Sequence, residues 1–415
     1  MKIKQLTNEE FTLFANKYNI KSIYQTEEYA FIMNKQNFES IFLGLVDNEV
    51  IVAASMFLIE KLKGFKYAYA PRGFLIDYNN ETLLKEFTSG VKSFLGKLNV
   101  IAVKINPSII KNIYNSDKKV IYSNQDFDKI FYALKKLGYY HLGFNNGFEA
   151  LKPRFEAIID LNKSYYDIFK NIKKEYRTKI RSAANNGIII YKGNQDALKY
   201  LYLETQKKYP RDLRYYEDCY YFFEKRKLVD FYYAKLDINH FLKNLQDKYQ
   251  SKLQESEKYN RDVIMTKGFN TKRNITKKIM LETQVNNYHE NLINASAIMS
   301  NNPNGVIVAS IMTIKYGDTV YMLMDGYDPK YKKFNAKHLL IWKLIEKYSK
   351  EGYKKFNIGG LTNILSDDDL KGLTQFKLNF GSYVNEYMGD LELITNNTLY
   401  FLYRNARPIG FLFNK

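Results

Sequence analysis

A run of basic residues between Asn171 and Gly187 is the segment whose residue types most clearly suit a chemical partner. The spacing of Ser164 and Asp167 predicts the start of a helix, and Asn186-Gly187 predicts its end. A one-sided basic helix suits a phosphate backbone, and the alternative is an ordinary solvated surface helix. The residues that recur at helical spacing and would share one face are Lys170, Lys173, Lys174, Arg177 and Arg181.

A turn that follows an apolar strand, within Tyr67–Tyr78, holds a second group of candidates. Arg72 can hold a phosphate or carboxylate through its fork of donors, and the adjacent Gly73 lets the backbone approach a ligand. Asp77 can orient an amine. The alternative is a plain turn that binds nothing.

Lys377 stands among the apolar residues Phe376, Leu378 and Phe380, shortly after Gly359-Gly360. A lysine in such surroundings either extends its ammonium to solvent or provides a fixed positive charge in a site. From the residues alone, the first interpretation is the simpler one.

The motifs of several common enzyme classes are missing from the sequence. It contains no G-x-S-x-G elbow, P-loop or zincin motif. Cys219 lies in the aromatic run CYYFF, where burial is expected rather than reactivity. The histidines show no metal-ligand spacing, so no metal is expected; they are His141, His240, His289 and His338.

The charge of the chain indicates an anionic partner. Its 415 residues include 63 Lys and Arg against 44 Asp and Glu, a formal net charge of +19. Nucleic acid, a phosphorylated small molecule or an anionic membrane surface would each fit, unless an AT-rich genome alone explains the lysines. With 46% hydrophobic residues, one cysteine and no signal-peptide or membrane-spanning pattern, we expect a globular cytoplasmic protein without disulfides, with peripheral membrane contact as an option.

The same order of elements occurs twice, which predicts an internal duplication in an α/β (α+β) fold. Strands are expected within residues 40–76, then a helix over 79–98 and a strand at 100–105. The later copy has strands at 306–315 and 319–324, a helix at 337–348 and a strand at 355–358. Between them, residues 238–294 carry a narrow apolar seam on charged helices, which indicates a solvated helical hairpin.

Six segments, spread in order over nearly the whole chain, resemble the FemABX family of peptidoglycan peptidyltransferases. Phe74 stands where the family usually has proline in its R-G-P-v-x-D-Y motif. The segments are Tyr24-Gln25-Thr26 through Lys35, Tyr69–Tyr78, Leu137–Phe144, Ile172–Gly187, Trp342–Gly360 and Phe376–Asp390.

The resemblance implies two tandem acetyltransferase-like (GNAT) domains with an inserted antiparallel coiled-coil arm, as in FemA-, FemB- or MurM-like members. The first domain would span 1–150, with the C-terminal helix within 396–415 packing back on it. The second would span 151–237 and 295–395, and the arm 238–294.

The resemblance also implies an activity, namely transfer of Gly, Ser or Ala from aminoacyl-tRNA to the stem-peptide amine of a peptidoglycan precursor, either lipid II or its soluble nucleotide-linked form. Aminoacyl-tRNA would be a co-substrate, and no cofactor is implied. Lys377, following Phe376, would stabilise the tetrahedral oxyanion, and Asp77 would accept the proton of the amine.

The precursor would lie against Lys35, Arg72, Gly73 and either Arg211 or Arg214. The basic helix and the arm would meet tRNA.

Two other functions stay open at this point. A CoA-dependent N-acyltransferase would share the fold, although Asp328–His338 has no glycine for a CoA-binding loop. A non-catalytic RNA-binding module would use the arm and the basic helix alone. The sequence leaves open which amino acid is added and whether the acceptor amine belongs to lysine or diaminopimelate.

Overall fold

The computed structural model describes residues 1–62, 64–149, 152–206, 211–265, 271–365 and 370–405. Its strands form two sheets. They are β1 Lys2–Gln5, β2 Glu39–Asp47, β3 Val50–Leu62, β4 Phe65–Arg72, β5 Val100–Pro107, β6 Ile110–Tyr114, β7 Val120–Ser123, β8 Tyr139–His141, β9 Phe155–Asp160, β10 Ile188–Lys192, β11 Val229–Leu236, β12 Val306–Tyr316, β13 Thr319–Tyr327, β14 Lys355–Leu361, β15 Tyr383–Tyr387 and β16 Leu391–Ile394.

Helices cover the faces of the sheets and build the arm. They are α1 Asn8–Lys17, α2 Glu27–Lys35, α3 Glu81–Lys97, α4 Phe127–Lys136, α5 Tyr165–Asn171, α6 Lys174–Asn185, α7 Leu198–Thr205, α8 Leu213–Glu224, α9 Ile238–Ile264, α10 Lys272–Asn301, α11 Ala336–Lys350, α12 Lys371–Leu378 and α13 Asn397–Asn405. Short 3-10 turns occupy Gln195–Ala197 and Pro329–Phe334.

The predicted duplication is confirmed in the topology. In the first sheet the antiparallel strands β2, β3 and β4 lead through α3 to β5, which pairs parallel with β4. In the second sheet β11, β12 and β13 lead through α11 to β14, which pairs parallel with β13. The α3 face that covers the first sheet is apolar at helical spacing, with Leu84, Phe87, Val91 and Leu95 fully buried.

The two parallel pairs differ in how far they stay joined. β4 and β5 remain paired from Lys66 opposite Val100 to Arg72 opposite Pro107. β13 and β14 pair only from Thr319 opposite Lys355 to Tyr321 opposite Asn357, after which the strands separate. The second sheet therefore has an opening between β13 and β14 that the first sheet lacks between its parallel strands.

Each sheet takes strands from distant parts of the chain. The strand order is β1-β2-β3-β4-β5-β16-β8 in the first sheet and β10-β11-β12-β13-β14-β9-β15-β6-β7 in the second. Thus β6 and β7, from the predicted first domain, lie in the second sheet, whereas β16, from the predicted second domain, lies in the first. The boundaries at residues 150 and 395 stay a prediction about folding units.

The basic segment forms two helices, so the prediction of one continuous helix from Ser164 to Gly187 is wrong. Ser164 caps the first helix as expected, since its hydroxyl accepts from the Asp167 N–H at 3.2 Å. Ile172 and Lys173 are extended, with ψ of 134° and 141°. The Lys173 N–H donates to the Asn379 carbonyl at 2.9 Å instead of to a helical carbonyl, which breaks the helix there.

The predicted arm is a pair of long helices, α9 and α10, that pack against each other. It extends to Asn301, beyond the expected end at residue 294, because α10 continues down to the second sheet. Leu281 and Ser256 are buried between the helices, and the rings of Tyr249 and His289 lie 5.7 Å apart. Whether the helices supercoil stays a prediction.

The C-terminal helix packs on the first sheet, as predicted. Tyr403 of α13 is 3% exposed and packs with Tyr67, Ile101 and Ala102 of β4 and β5. Residues 406–415, the remainder of the predicted helix, lie outside the described part of the chain. None of the helices in that part is both long and apolar enough to cross a bilayer.

Replacing Tyr403 by alanine should detach α13 from the first sheet, because the ring fills a buried space that a methyl group leaves empty. We expect a loss of about 2–4 kcal/mol in the free energy of unfolding, measured by denaturant titration. The matched control is Leu402→Ala, since Leu402 is on the same helix but 51% exposed. Equal losses in the two variants would contradict the packing of α13.

Candidate functional site

Lys377 is buried at the opening between β13 and β14. Its side chain is only 6% exposed, and its Nζ donates to the Gly360 carbonyl oxygen at 2.7 Å. The ammonium fits because β14 ends in glycines: a Cβ on Gly359, whose φ is +87°, would lie 3.2 Å from Nζ. Burial lowers the pKa of Lys377 to about 8, with Lys337 contributing and Asp325 opposing. Lys377 is therefore a buried residue whose pKa lies close to neutral pH. The interpretation that its ammonium extends to solvent is wrong.

Phe376 anchors the Lys377 helix in a cluster of rings. Its ring lies 5.8 Å from that of Tyr176 on α6 and 5.3 Å from that of His338 on α11. Burial and the nearby Lys179 and Lys337 lower the pKa of His338 to about 4, so this imidazole is neutral near pH 7. The cluster ties α12 to both the basic segment and α11.

Two acidic residues that the sequence did not reveal lie close to Lys337, and one of them, Asp325, also acts on Lys377. Asp325 at the opening forms an ion pair with Lys337 at the start of α11. Glu204 of α7 accepts a hydrogen bond from the Ser310 hydroxyl, and its Oε1 is buried without a hydrogen-bond partner among the described residues. Burial raises the pKa of Glu204 to about 7. The only sign of Glu204 in the sequence was a single acidic residue in the otherwise uncharged run LYLET.

Arg72 joins the end of β4 in the first sheet to β9 in the second. Its guanidinium is 3% exposed and donates from Nη2 to Glu156 Oε1 and to the Pro153 carbonyl, both at 2.7 Å. It also lies 4.0 Å from the centroid of the Tyr387 ring. Its Nη1 is buried and has no hydrogen-bond partner in the described ranges, so the N–H donors of this nitrogen are unused.

Gly73 is needed for a close approach within the protein itself. A Cβ at this position would lie 2.6 Å from Ser55 Oγ and 2.9 Å from Gln25 Nε2. Gln25 clamps two strands, because its Nε2 donates to the Pro71 carbonyl and its Oε1 accepts from the Met56 N–H, both at 2.8 Å. The Gln-Thr segment noted in the sequence is thus part of the support for Arg72, and a role of Gly73 toward substrate stays a prediction.

A second group of cations lies next to Arg72. The Nζ of Lys152 is 3.6 Å from the centroid of the Tyr24 ring and donates to the Tyr29 hydroxyl at 3.2 Å. Burial, followed by the charges of Arg211 and Arg72, holds the pKa of Lys152 well below its usual value. The Arg211 guanidinium lies 4.3 Å from the Tyr215 ring. Lys152 was missed because nothing marks its position in the sequence as lying between the sheets.

The other predicted residues on this side are exposed, as Arg211 is. Lys35 ends α2, and Arg214 lies in the first turn of α8. Asp77 accepts from the Asn79 N–H at 3.0 Å and contributes, after burial, to the raised pKa of Tyr18. In the described part of the chain, none of these three forms a hydrogen bond or ion pair with Arg72 or Lys377. The structure thus favours Arg211 over Arg214 as the neighbour of Arg72.

The basic segment is attached directly to the Lys377 helix. Lys173 is 52% exposed and forms a 3.2 Å ion pair with Asp117, and the Arg181 guanidinium lies 5.4 Å from the Phe169 ring. Tyr176, between them, contacts Phe376 and Phe380. Although the helix is broken, four of its five predicted cations are exposed and Arg177 is half-buried; the four are Lys170, Lys173, Lys174 and Arg181.

This arrangement can support transfer of a group between two bound substrates, with Lys377 stabilising the negative charge that develops. Burial raises the pKa of Cys219 to about 12, so its thiol stays protonated near pH 7 and does not suit nucleophilic catalysis. A buried ammonium that donates to a backbone carbonyl can instead turn toward an oxyanion as negative charge develops.

Comparisons with known proteins agree with the sequence motifs. A sequence model described as the FemAB family matches residues 6–407. A protein of Staphylococcus epidermidis named aminoacyltransferase FemA is 27% identical, over 99% of this chain and 100% of its own length. A lipid II:glycine glycyltransferase of Staphylococcus haemolyticus is 23% identical, over 98% of this chain and 96% of its own length.

A solved structure of FemX shares the fold. It superimposes with a TM-score of 0.74 at 20% sequence identity, covering 97% of this chain and 99% of its own.

Glu204→Gln should stabilise the protein at high pH and much less at low pH. The folded-state pKa of about 7 lies above the usual 4.5, so the folded protein favours the neutral acid, and the cost of ionisation grows as pH rises between these values. We expect a gain of about 2 kcal/mol near pH 8 and little change near pH 4.5, from unfolding titrations. Exposed Glu290→Gln is the control, and a gain that does not depend on pH would contradict the assignment.

Proposed function

The chain belongs to the FemAB family, and from that premise we propose that the protein is an aminoacyltransferase acting on a peptidoglycan precursor. It moves Gly, Ser or Ala from aminoacyl-tRNA to the stem-peptide amine of the precursor, which extends the interpeptide bridge. Lipid II is the favoured acceptor and glycine the favoured amino acid, because one set of relatives is named lipid II:glycine glycyltransferase. The observation that carries the proposal is the buried Lys377 ammonium at the opening between β13 and β14.

The chemistry that we propose needs alignment and charge stabilisation. The acceptor amine forms a C–N bond to the ester carbonyl carbon, the bond from that carbon to the ribose oxygen breaks, and the amine proton ends on the ribose oxygen. Between these events the carbonyl oxygen carries negative charge. Lys377 supports its stabilisation because a buried ammonium acts more strongly there than it would in water.

The precursor that accepts the amino acid is expected to lie against the group of cations around Arg72. The charges of Arg72 and Arg211 both act on Lys152, and Glu156 is the carboxylate paired with Arg72. This leaves an excess of positive charge that suits the phosphate groups of a precursor. Tyr24 and Tyr29 present ring faces beside the cations. Lys35 and Asp77 stay candidates for contacts with the exposed end of the precursor, and Asp77 stays the candidate proton acceptor.

The basic segment supports the proposed use of aminoacyl-tRNA. Its exposed cations suit a phosphate backbone, and its attachment to α12 would bring a bound tRNA near Lys377. The rival donor, acetyl-CoA, would need backbone N–H groups from a glycine-rich turn before α11. In this protein Asp328 caps a 3-10 turn and Lys337 pairs with Asp325, so the segment before α11 is built of bulky side chains.

Transfer itself is the direct test. The protein is incubated with lipid II and tRNA charged with labelled Gly, Ser or Ala, and the label in the stem peptide is measured. We expect label from at least one of the three. Acyl transfer from acetyl-CoA, without label from any charged tRNA, would support the CoA-dependent alternative; tRNA binding with neither transfer would support the RNA-binding module.

Lys377→Met should reduce kcat by about a hundredfold near pH 7, because it keeps the apolar stem and removes the charge. The pKa of about 8 implies that the ammonium is present below pH 8 and lost as pH rises through it. The ratio of wild-type to variant kcat should therefore fall toward one near pH 10, whatever the ionisation of the acceptor amine. Lys371→Met, exposed on the same helix, is the control; a ratio that stays constant with pH would contradict the charge role.

Arg211→Gln should raise KM for the phosphate-bearing acceptor by about tenfold while leaving kcat nearly unchanged, because uniform binding of the phosphate is lost. Arg214→Gln provides a matched control, since Arg214 is three residues away and also exposed but, unlike Arg211, is not among the charges that lower the pKa of Lys152. Steady-state kinetics with varied acceptor distinguish the two. A larger effect in Arg214→Gln would mean that the acceptor lies on the outer face of α8.

A further inference from the structure

The distal end of the arm, residues 258–265 and 271–282, combines exposed aliphatic side chains with several exposed cations. Of the large hydrophobic residues exposed on α9, α10 and the adjoining Met265, all but Ile293 lie at this end. Their exposures are 67% for Ile264, 86% for Met265, 47% for Ile275, 57% for Ile279 and 48% for Met280.

These residues form a surface rather than isolated patches. Ile264 of α9 and Ile275 and Ile279 of α10 line a groove of about 340 Å³ formed by the two helices. Ile275 and Ile279 are one helical turn apart and share a face. An exposed aliphatic surface on a pair of charged helices is unusual unless a second apolar surface, of a protein or a membrane, covers it.

Charge is distributed along the arm in the same uneven way. The described residues 258–265 and 271–282 contain six cations and two acids, a net charge of +4. All six cations are exposed; they are Lys258, Arg261, Lys272, Arg273, Lys277 and Lys278. The half of the arm nearer the sheets, residues 238–257 and 283–301, has three lysines and four acids, a net charge of −1.

We propose that the distal end of the arm docks on an anionic phospholipid surface, with Ile264, Ile275 and Ile279 entering the headgroup boundary and the surrounding cations contacting lipid phosphates. Aliphatic side chains flanked by Lys and Arg are the combination that interfacial helices use, and each of the two contributions alone gives weak binding. Nucleic acid would use the cations but not the aliphatic groove, because bases stack on aromatic rings. The inference goes beyond the proposed transfer reaction and does not require it.

Vesicle binding of the full chain tests the surface without any substrate. We expect the protein to co-sediment with vesicles of equal parts phosphatidylcholine and phosphatidylglycerol and not with phosphatidylcholine alone. The variant Ile264→Ser/Ile275→Ser/Ile279→Ser and the variant Lys272→Gln/Lys277→Gln should each lose about tenfold or more in partitioning. The altered residues are exposed, so the melting temperature should not change.

Matched controls come from the proximal half of the arm. Ile293→Ser removes an aliphatic side chain that is 58% exposed, and Lys243→Gln/Lys248→Gln removes two exposed lysines. Both should bind vesicles within about twofold of wild type. In the triple serine variant, which keeps every cation of the arm, transfer to a water-soluble acceptor should match wild type, so a failure of the proposed reaction is distinguishable from a failure of docking.

Three results would overturn the proposal. The first is wild-type protein that ignores anionic vesicles, or distal variants that bind them as tightly as wild type. The second is loss of tRNA affinity in the lysine variant while vesicle binding is unchanged, which would make the distal end a nucleic-acid surface. The third is a wild-type dimer that the triple serine variant converts to monomer, which would mean that a second copy covers the groove.

Discussion

The buried carboxylate of Glu156 holds the Arg72 guanidinium in place between the two sheets. It lies on β9, is 7% exposed, and accepts from Arg72 and from Asn357 at 2.7 and 2.8 Å. Through Arg72 it ties the end of β4 in the first sheet to the second sheet. Its charge also raises the pKa values of Lys152 and Lys377 against the effect of burial. Without this anion, the buried Arg72 guanidinium would lose its paired carboxylate, which is costly in a medium of low dielectric constant.

The duplicated architecture could be predicted because it depends on local patterns. The periodicity of α3 and α11 and the two glycines near the end of β14 are visible within short stretches of sequence. Lys377 was found through its place in a motif, but its burial was not, since this depends on the glycine backbone of β14 some 17 positions earlier. The break at Lys173 could not be predicted, because a carbonyl from Asn379 competes with the helical partner.

The contacts between the sheets could not be predicted either, because they join residues that are far apart in the sequence. Arg72 and Glu156 are 84 positions apart, and neither carries a local signal for the other. Glu204 and Lys152 gain their properties from burial against distant strands and helices. Asp77 shows the reverse case: its motif marks it as a candidate, and the turn leaves its carboxylate exposed, so its role stays a prediction. Sequence patterns thus identify residue types well and their depth poorly.

The two copies of the parallel strand pair show how duplication allows division of labour. Complete pairing of β4 with β5 leaves no gap, and it delivers a rigid Arg72 at the strand end. Early separation of β13 from β14 leaves the Gly360 carbonyl free of a β13 partner, and Lys377 takes it. A rigid end suits binding of a fixed anion, whereas an opening lined by a buried ammonium suits a group whose charge changes during reaction. The sealed copy therefore favours holding the acceptor, and the open copy favours the chemistry.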